Sequence, residues 1–161
     1  MRKYLGLRIF LLVGIFGTLL FAFTQSALPA DESSEISDEF SGFLSLIFRP
    51  DTAPGAFIHE YIRKIAHFTE YFVLGLFTSL YVVIFMPRIE AAYRERIRFS
   101  VYSLFAAPIV ALIDETIQLF SSRGASVADV WLDVFGFFTS ALIVYTVFYV
   151  IKFIKEKRIS S

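Results

Sequence analysis

The stretch APIVALIDETIQLF, residues 107–120, decides both the class of fold and where a site should be sought. Most of it is apolar enough to cross a bilayer as a helix, yet it carries Asp114 and Glu115 side by side and Gln118 one turn later. A carboxylate at the centre of an inserted helix costs roughly 2.5–3.5 kcal/mol. Two adjacent carboxylates therefore predict a site or a buried polar network that offsets their charge.

The composition of the whole chain supports the membrane interpretation. Of the 161 residues, 57% are hydrophobic and 19% are charged, and the mean hydropathy is +0.66. A soluble domain is about 45–50% apolar. The formal net charge is zero, so the overall charge indicates no nucleic-acid partner. The sequence has no cysteine, which excludes disulfides, thiolate metal ligands and thiol nucleophiles.

Four apolar stretches have the length needed to cross a hydrocarbon core, which is about 20 helical residues. They cover residues 5–24, 62–86, 99–120 and 130–151. Because a backbone in lipid must close its own hydrogen bonds, each stretch is expected to be a helix. The sequence predicts an all-α integral membrane protein, with one four-helix transmembrane domain over residues 1–161.

The first apolar stretch has two interpretations. MRKYLGLR, a following apolar run and SALPA have the order of a secretory signal. The length of the run, and the poor cleavage site offered by Leu28 and Pro29, favour a retained span. A cleaved signal over residues 1–30 stays as the alternative.

The charges of the loops predict the orientation. The 27–57 segment is acidic, whereas basic clusters flank the other span ends: Arg2, Lys3 and Arg8; Arg88, Arg94, Arg96 and Arg98; Lys152, Lys155, Lys157 and Arg158. Basic loops stay in the cytoplasm. The sequence therefore predicts a plasma-membrane protein with both termini cytoplasmic and the loop of residues 25–61 outside.

The outer loop also contains an amphipathic pattern that ends at Pro50. Its apolar residues follow helical spacing: Phe40, Phe43, Leu44, Ile47 and Phe48. The pattern predicts a short amphipathic helix. This helix either lies on the outer leaflet, where it could cover a site beneath it, or packs against the bundle.

With this orientation, polar residues of three spans meet near the outer boundary. His67 and Glu70 follow the outer start of the second span, Asp114 precedes the outer end of the third, and Asp133 follows the outer start of the fourth. At about 1.5 Å per residue, all four lie within ~10 Å of that boundary. Each polar stripe continues as small residues, which let membrane helices approach closely. We expect an outward-facing polar pocket.

Two segments resemble the signature regions of the VanZ family, membrane proteins named for a teicoplanin-resistance protein. They are RKIAHFTEYFVLGLF at 63–77 and DETIQLFSSRGASVADVWLDVFG at 114–136. The residues that carry the resemblance are Lys64, His67, Glu70, Tyr71, Gly75, Asp114, Glu115, Gln118, Phe120, Arg123, Asp129, Asp133 and Gly136. The resemblance implies a multi-pass protein of the cell envelope, linked in some members to antibiotic resistance. It supplies no agreed reaction.

Three kinds of function fit these residues. The favoured one is a pocket that binds or acts on an outer-leaflet phospholipid, a polyprenyl-phosphate cell-wall precursor or a glycopeptide, and lowers teicoplanin susceptibility. The candidate ligand-binding residues are Arg63, Lys64, Gln118, Arg123 and Asp129. An enzyme with acid–base chemistry is the first alternative, with candidate residues His67, Glu70, Asp114, Glu115 and Asp133. A structural network or accessory subunit is the second, and the oligomeric state stays open.

A divalent metal is the alternative to acid–base chemistry. His67 and Glu70 lie one helical turn apart, and Asp114, Glu115 or Asp133 is the candidate third ligand. One histidine with carboxylates is an unspecific pattern. The sequence therefore predicts no cofactor and keeps the metal as an alternative. A further pattern, SVAD at 126–129, predicts a helix start with Ser126 as its cap.

Overall fold

The computed structural model describes residues 4–29, 31–32, 35, 39, 42, 52–85, 90–121 and 124–160. Within them lie four long helices: α1 (Leu5–Ala27), α2 (Ala53–Phe85), α3 (Glu90–Phe120) and α4 (Val127–Ser160). Each contains a segment long and apolar enough to cross a membrane: Leu5–Ala27, Tyr61–Phe85, Ser100–Phe120 and Val127–Arg158. The predicted all-α class with four spanning helices is confirmed. The predicted amphipathic helix of the outer loop falls on residues 40–48, nearly all of which lie outside the described ones.

The helices begin and end where their local sequence predicts. Leu28, which precedes Pro29, has an extended backbone with ψ of 141° and ends α1, because a residue before proline is disfavoured in the helical region. Pro54 is accepted in the first turn of α2, where its missing N–H has no helical partner. This helix starts nine residues before the apolar run predicted from residue 62, so the outer connection is shorter than predicted.

The surface of the bundle is apolar along the spans. Phe16, Phe105 and Leu142, on three different helices, are each about two-thirds exposed or more, at 67%, 71% and 69%. A soluble protein rarely exposes a continuous apolar surface of this kind. These side chains therefore face lipid, and the buried core lies between the helices. The core consists of Tyr71, Leu74, Ala107, Ala111, Val134 and Phe137.

Helices α2 and α4 pack backbone to backbone at two glycines. A Cβ at Gly136 would lie 2.5 Å from the carbonyl oxygen of Phe68, and a Cβ at Gly75 would lie 2.6 Å from the carbonyl oxygen of Phe137. Small residues permit this close approach in membrane helices. The contact brings the polar face of α2 against the polar face of α4.

Two hydrogen bonds join helices at the end of the bundle where α1 and the α3 span begin. The Arg8 Nε donates to the Tyr81 hydroxyl at 3.1 Å, joining the start of α1 to the end of α2. The Tyr145 hydroxyl donates to the Ser100 hydroxyl at 2.9 Å, joining α4 to the start of the α3 span. Neighbouring helices in sequence thus run antiparallel. Consequently, the ends of α1 and α3 meet the starts of the α2 and α4 spans at the other end of the bundle.

Candidate functional site

The structure brings three side chains together from three helices: His67 of α2, Asp114 of α3 and Asp133 of α4. His67 lies six residues after the start of its span, Asp114 six before the end of its span, and Asp133 six after the start of its span. Six residues correspond to about 9 Å along a helix. The antiparallel arrangement therefore places all three at one depth, close to one face of the bundle, and we call them the His–Asp–Asp cluster.

The distances in the His–Asp–Asp cluster are longer than those of direct hydrogen bonds. His67 Nδ1 lies 3.5 Å from Asp133 Oδ1 and 3.9 Å from Asp114 Oδ2, whereas an N–H···O bond spans 2.7–3.2 Å. His67 is 7% exposed, and both aspartates are 0% exposed. His67 Nδ1, Asp114 Oδ1 and both carboxylate oxygens of Asp133 are buried without a hydrogen-bond partner. Polar atoms in such surroundings almost always have one.

Gln118 links this cluster to the surface. Its amide nitrogen lies 3.4 Å from Asp114 Oδ2, 3.2 Å from Glu115 Oε1 and 3.5 Å from the Ser26 hydroxyl. Its amide oxygen accepts a 2.9 Å hydrogen bond from the guanidinium of Arg63, which is exposed. A fully buried amide therefore contacts the surface cation through its oxygen and a cluster carboxylate through its nitrogen.

Glu115 points away from the cluster and holds the start of α4. Its Oε2 accepts a 2.8 Å hydrogen bond from the backbone N–H of Ser126. The Ser126 hydroxyl in turn accepts from the backbone N–H of Ala128 at 3.2 Å, so the predicted cap of α4 is confirmed. Because the first N–H groups of a helix have no partner inside it, these two contacts stabilise the start of α4. Asp133 is two turns further along that helix.

This contact predicts different effects for two substitutions of Glu115. Glu115→Ala leaves the half-buried Ser126 N–H without its acceptor, which costs about 0.5–1.5 kcal/mol, the net worth of an ordinary hydrogen bond. Glu115→Gln keeps an oxygen that can accept from Ser126, so it is expected to cost less. The thermal unfolding midpoint in detergent checks both. A larger loss in the glutamine variant than in the alanine variant would contradict this role.

The other predicted site residues that the structure describes lie outside the cluster. Lys64 is exposed, with its Nζ 5.3 Å from the centre of the Tyr61 ring. Its long side chain reaches the surface, as lysines near span ends do. Glu70 and Asp129 are half-buried. Arg123 lies outside the described residues.

One contributor was missed by the sequence analysis. Ser26, near the end of α1, is 1% exposed, its hydroxyl lies near Gln118, and its carbonyl accepts a 2.8 Å hydrogen bond from the Ser121 hydroxyl. The available signal was a polar pair, Gln25 and Ser26, at the end of an apolar span. The first helix therefore belongs to the surroundings of the site.

The His–Asp–Asp cluster is enclosed rather than open. The sequence predicted an outward-facing pocket, but the carboxylates of Asp114 and Asp133 have no exposed surface, and His67 keeps only 7%. The close contact of α2 with α4 at Gly75 and Gly136 brings these helices together one to two turns deeper than His67.

Fold and site together define a class: a multi-pass helical membrane protein with a buried histidine–dicarboxylate cluster near one end of its bundle. A model of the VanZ/LLP1 family matches residues 8–151, which include every residue of the site. The chain belongs to this VanZ-like family, as the resemblance indicated. Comparison with curated proteins and with solved structures finds no match.

Proposed function

We propose that this VanZ-like protein binds a phosphate-bearing lipid of the outer leaflet at the end of the bundle that holds the His–Asp–Asp cluster. The observation that carries the proposal is the position of Arg63. Its guanidinium is exposed in the first turn of the α2 span, yet it is joined through Gln118 to the carboxylate of Asp114. A headgroup on Arg63 would lie beside the buried cluster.

The chemistry of Arg63 favours a phosphate as the ligand. A guanidinium presents five N–H donors in a planar fork that matches the oxygens of a phosphate. The described hydrogen bond to Gln118 uses the Nη2 group of Arg63, so the other N–H groups of the guanidinium remain for a ligand. Lys64 adds an exposed cation beside it. Both cations lie at the span boundary, where lipid phosphates are found.

The charge distribution supports an outward orientation for this end. The described basic residues Arg8, Arg94, Arg98, Lys152 and Lys155 belong to the opposite end, which the positive-inside rule assigns to the cytoplasm. Both termini are then cytoplasmic in the plasma membrane. The lipid met by Arg63 is accordingly an outer-leaflet phospholipid or a polyprenyl-phosphate wall precursor. Binding of a lipid-linked precursor would alter how glycopeptides reach it, and so lower teicoplanin susceptibility.

A reaction on the bound lipid is the second candidate. The observation that favours it is an imidazole nitrogen between two carboxylates, beside the proposed headgroup site. A histidine held in this way is suited to acid–base work. Turnover of a radiolabelled phosphate lipid by the purified protein, lost in His67→Gln, would support an enzyme. Binding without turnover would support a carrier or receptor.

Lipid binding by purified protein tests the proposed function. Arg63→Gln removes the guanidinium and keeps a side chain that can bond Gln118. We expect it to weaken binding of phosphate lipids about tenfold or more, as expected for a charged hydrogen bond of about 1.5–3 kcal/mol. The measurement is equilibrium binding in nanodiscs, with phosphatidylglycerol, undecaprenyl phosphate and the phosphate-free diacylglycerol as separate arms.

Lys155→Gln is the matched control, because it removes an exposed cation from the opposite end of the bundle. It should leave binding unchanged. A preference for one phosphate arm identifies the source of the ligand. Equal binding by wild type and Arg63→Gln, or equal binding of diacylglycerol, would contradict the proposal.

A further inference from the structure

We infer that the His–Asp–Asp cluster is a binding site for one divalent metal ion, zinc by the chemistry of its ligands, with His67, Asp114 and Asp133 as the protein ligands. The sequence pattern paired His67 with Glu70 and left Asp114, Glu115 and Asp133 open as the third ligand, and the structure brings the two aspartates to His67. The donor atoms of the three residues all lie within 4.8 Å of one another, and all three residues are buried.

The separations in the cluster match the edges of a tetrahedral metal site. Zinc–nitrogen and zinc–oxygen bonds of about 2.0–2.2 Å at the tetrahedral angle put neighbouring donors about 3.4 Å apart. The observed separations from His67 Nδ1 are 3.5 Å to Asp133 and 3.9 Å to Asp114. An octahedral site with similar bonds would need donors about 3.0 Å apart. The imidazole ligand favours zinc, because magnesium and calcium prefer oxygen ligands.

The unsatisfied atoms of the cluster provide a second, independent observation. His67 Nδ1, Asp114 Oδ1 and both oxygens of Asp133 are buried without hydrogen-bond partners. In the described part of the chain, neither aspartate forms an ion pair with a lysine or arginine. Buried carboxylates normally have a cationic partner or coordinate a metal. One divalent ion would neutralise both charges and satisfy the atoms that face each other.

The surroundings fit a metal site that retains an open position. Three protein ligands leave the fourth tetrahedral position for water or a ligand oxygen, as in catalytic zinc sites. Gln118 donates to Asp114 Oδ2 at 3.4 Å, the kind of contact that orients a ligating carboxylate. Because Gln118 also bonds Arg63, the open position is adjacent to the proposed phosphate site. A water molecule is the ligand that this enclosed position would take.

Zinc content of purified protein tests the inference. The chain should be produced with an affinity tag that lacks histidine, loaded with zinc chloride alone, desalted, and assayed by inductively coupled plasma mass spectrometry. We expect one zinc ion per wild-type chain. In Asp133→Asn and Asp114→Asn, zinc affinity measured against a chromophoric chelator should fall at least about 100-fold.

Ser79→Ala is the matched control, because it changes another buried polar residue of α2 about three helical turns from His67, and it should keep its zinc. Wild-type chain that is monodisperse and takes up no zinc would overturn the inference, even if a variant fails to fold. Zinc retained equally by both aspartate variants would also overturn it. The inference is independent of the proposed lipid. Zinc uptake without phosphate-lipid binding would refute only the proposed function. Phosphate-lipid binding without zinc uptake would refute only the metal site.

Discussion

Gly136→Val is expected to lower the thermal unfolding midpoint of the protein by about 6–12 °C, the upper end of the effect of overpacking a core in a chain of this size. The reason is the contact between α2 and α4. A Cβ at this position would lie 2.5 Å from the carbonyl oxygen of Phe68 and 3.2 Å from the backbone nitrogen of Phe72. Backbone atoms of a packed helix cannot move aside as a flexible side chain can.

The same substitution at Gly17 is the control for this prediction. Gly17 lies on the exposed face of α1, and nothing lies within 4 Å of a Cβ built there. Gly17→Val should therefore keep the wild-type midpoint within a few degrees. The midpoint is measured by size-exclusion chromatography after heating in detergent. Equal losses for the two variants would show that glycine content, rather than the α2–α4 contact, determines stability.

If the protein lowers glycopeptide susceptibility as proposed, Asp133→Asn is expected to abolish that effect while the folded protein stays in the membrane. Neither carboxylate oxygen of Asp133 accepts a hydrogen bond in the described structure, and the residue is fully buried. Asparagine has nearly the same shape, so it removes the charge and weakens a metal ligand without breaking a hydrogen bond. If Asp133 had a purely structural role, the phenotype would be lost only to the extent that folded protein is lost.

The measurement for Asp133→Asn pairs two quantities in the same cells: the amount of monodisperse protein in the membrane and the teicoplanin susceptibility. Ser79→Ala is the control, since it changes another buried polar residue, three helical turns beyond His67 on α2. We expect normal levels for both variants and a lost phenotype only for Asp133→Asn. An unchanged phenotype in Asp133→Asn would contradict a working role for the cluster.

The sequence predicted the class of fold and the core of the site because both depend on simple periodicities. Apolar runs of spanning length predict helices, and their antiparallel order places span ends together. His67, Asp114 and Asp133 then fall at one depth, each six residues from the end of its span. No knowledge of side-chain packing is needed for this step.

The directions of individual side chains could not be predicted in the same way. Asp114 and Glu115 are adjacent, so they point about 100° apart on a helix. Only the packing of α4 shows that Asp114 turns to His67 while Glu115 turns to Ser126. Lys64 lies one turn before His67 but is exposed, since a long cationic side chain can reach water from a buried stripe.

The closed state of the cluster also depends on tertiary packing. Polar stripes in the sequence suggested a pocket, because charged groups in a span need partners or water. The glycine contacts between α2 and α4 instead bring the backbones together and leave Asp114 and Asp133 with no exposed surface. The site is therefore a buried cluster with surface cations beside it. Arg63, one of these cations, contacts the cluster through Gln118.

The central claim is that the His–Asp–Asp cluster is a working site rather than a set of contacts that holds the bundle together. The most direct test is the thermal unfolding midpoint of Asp133→Asn and wild type, both treated with a chelator. Without a metal, the wild-type cluster holds two buried carboxylates against one imidazole, and removing one charge lowers the cost of burial. We predict a midpoint for Asp133→Asn equal to or above that of wild type. A midpoint more than about 5 °C below wild type, a loss of at least ~1 kcal/mol, would contradict the account and show that Asp133 stabilises the fold.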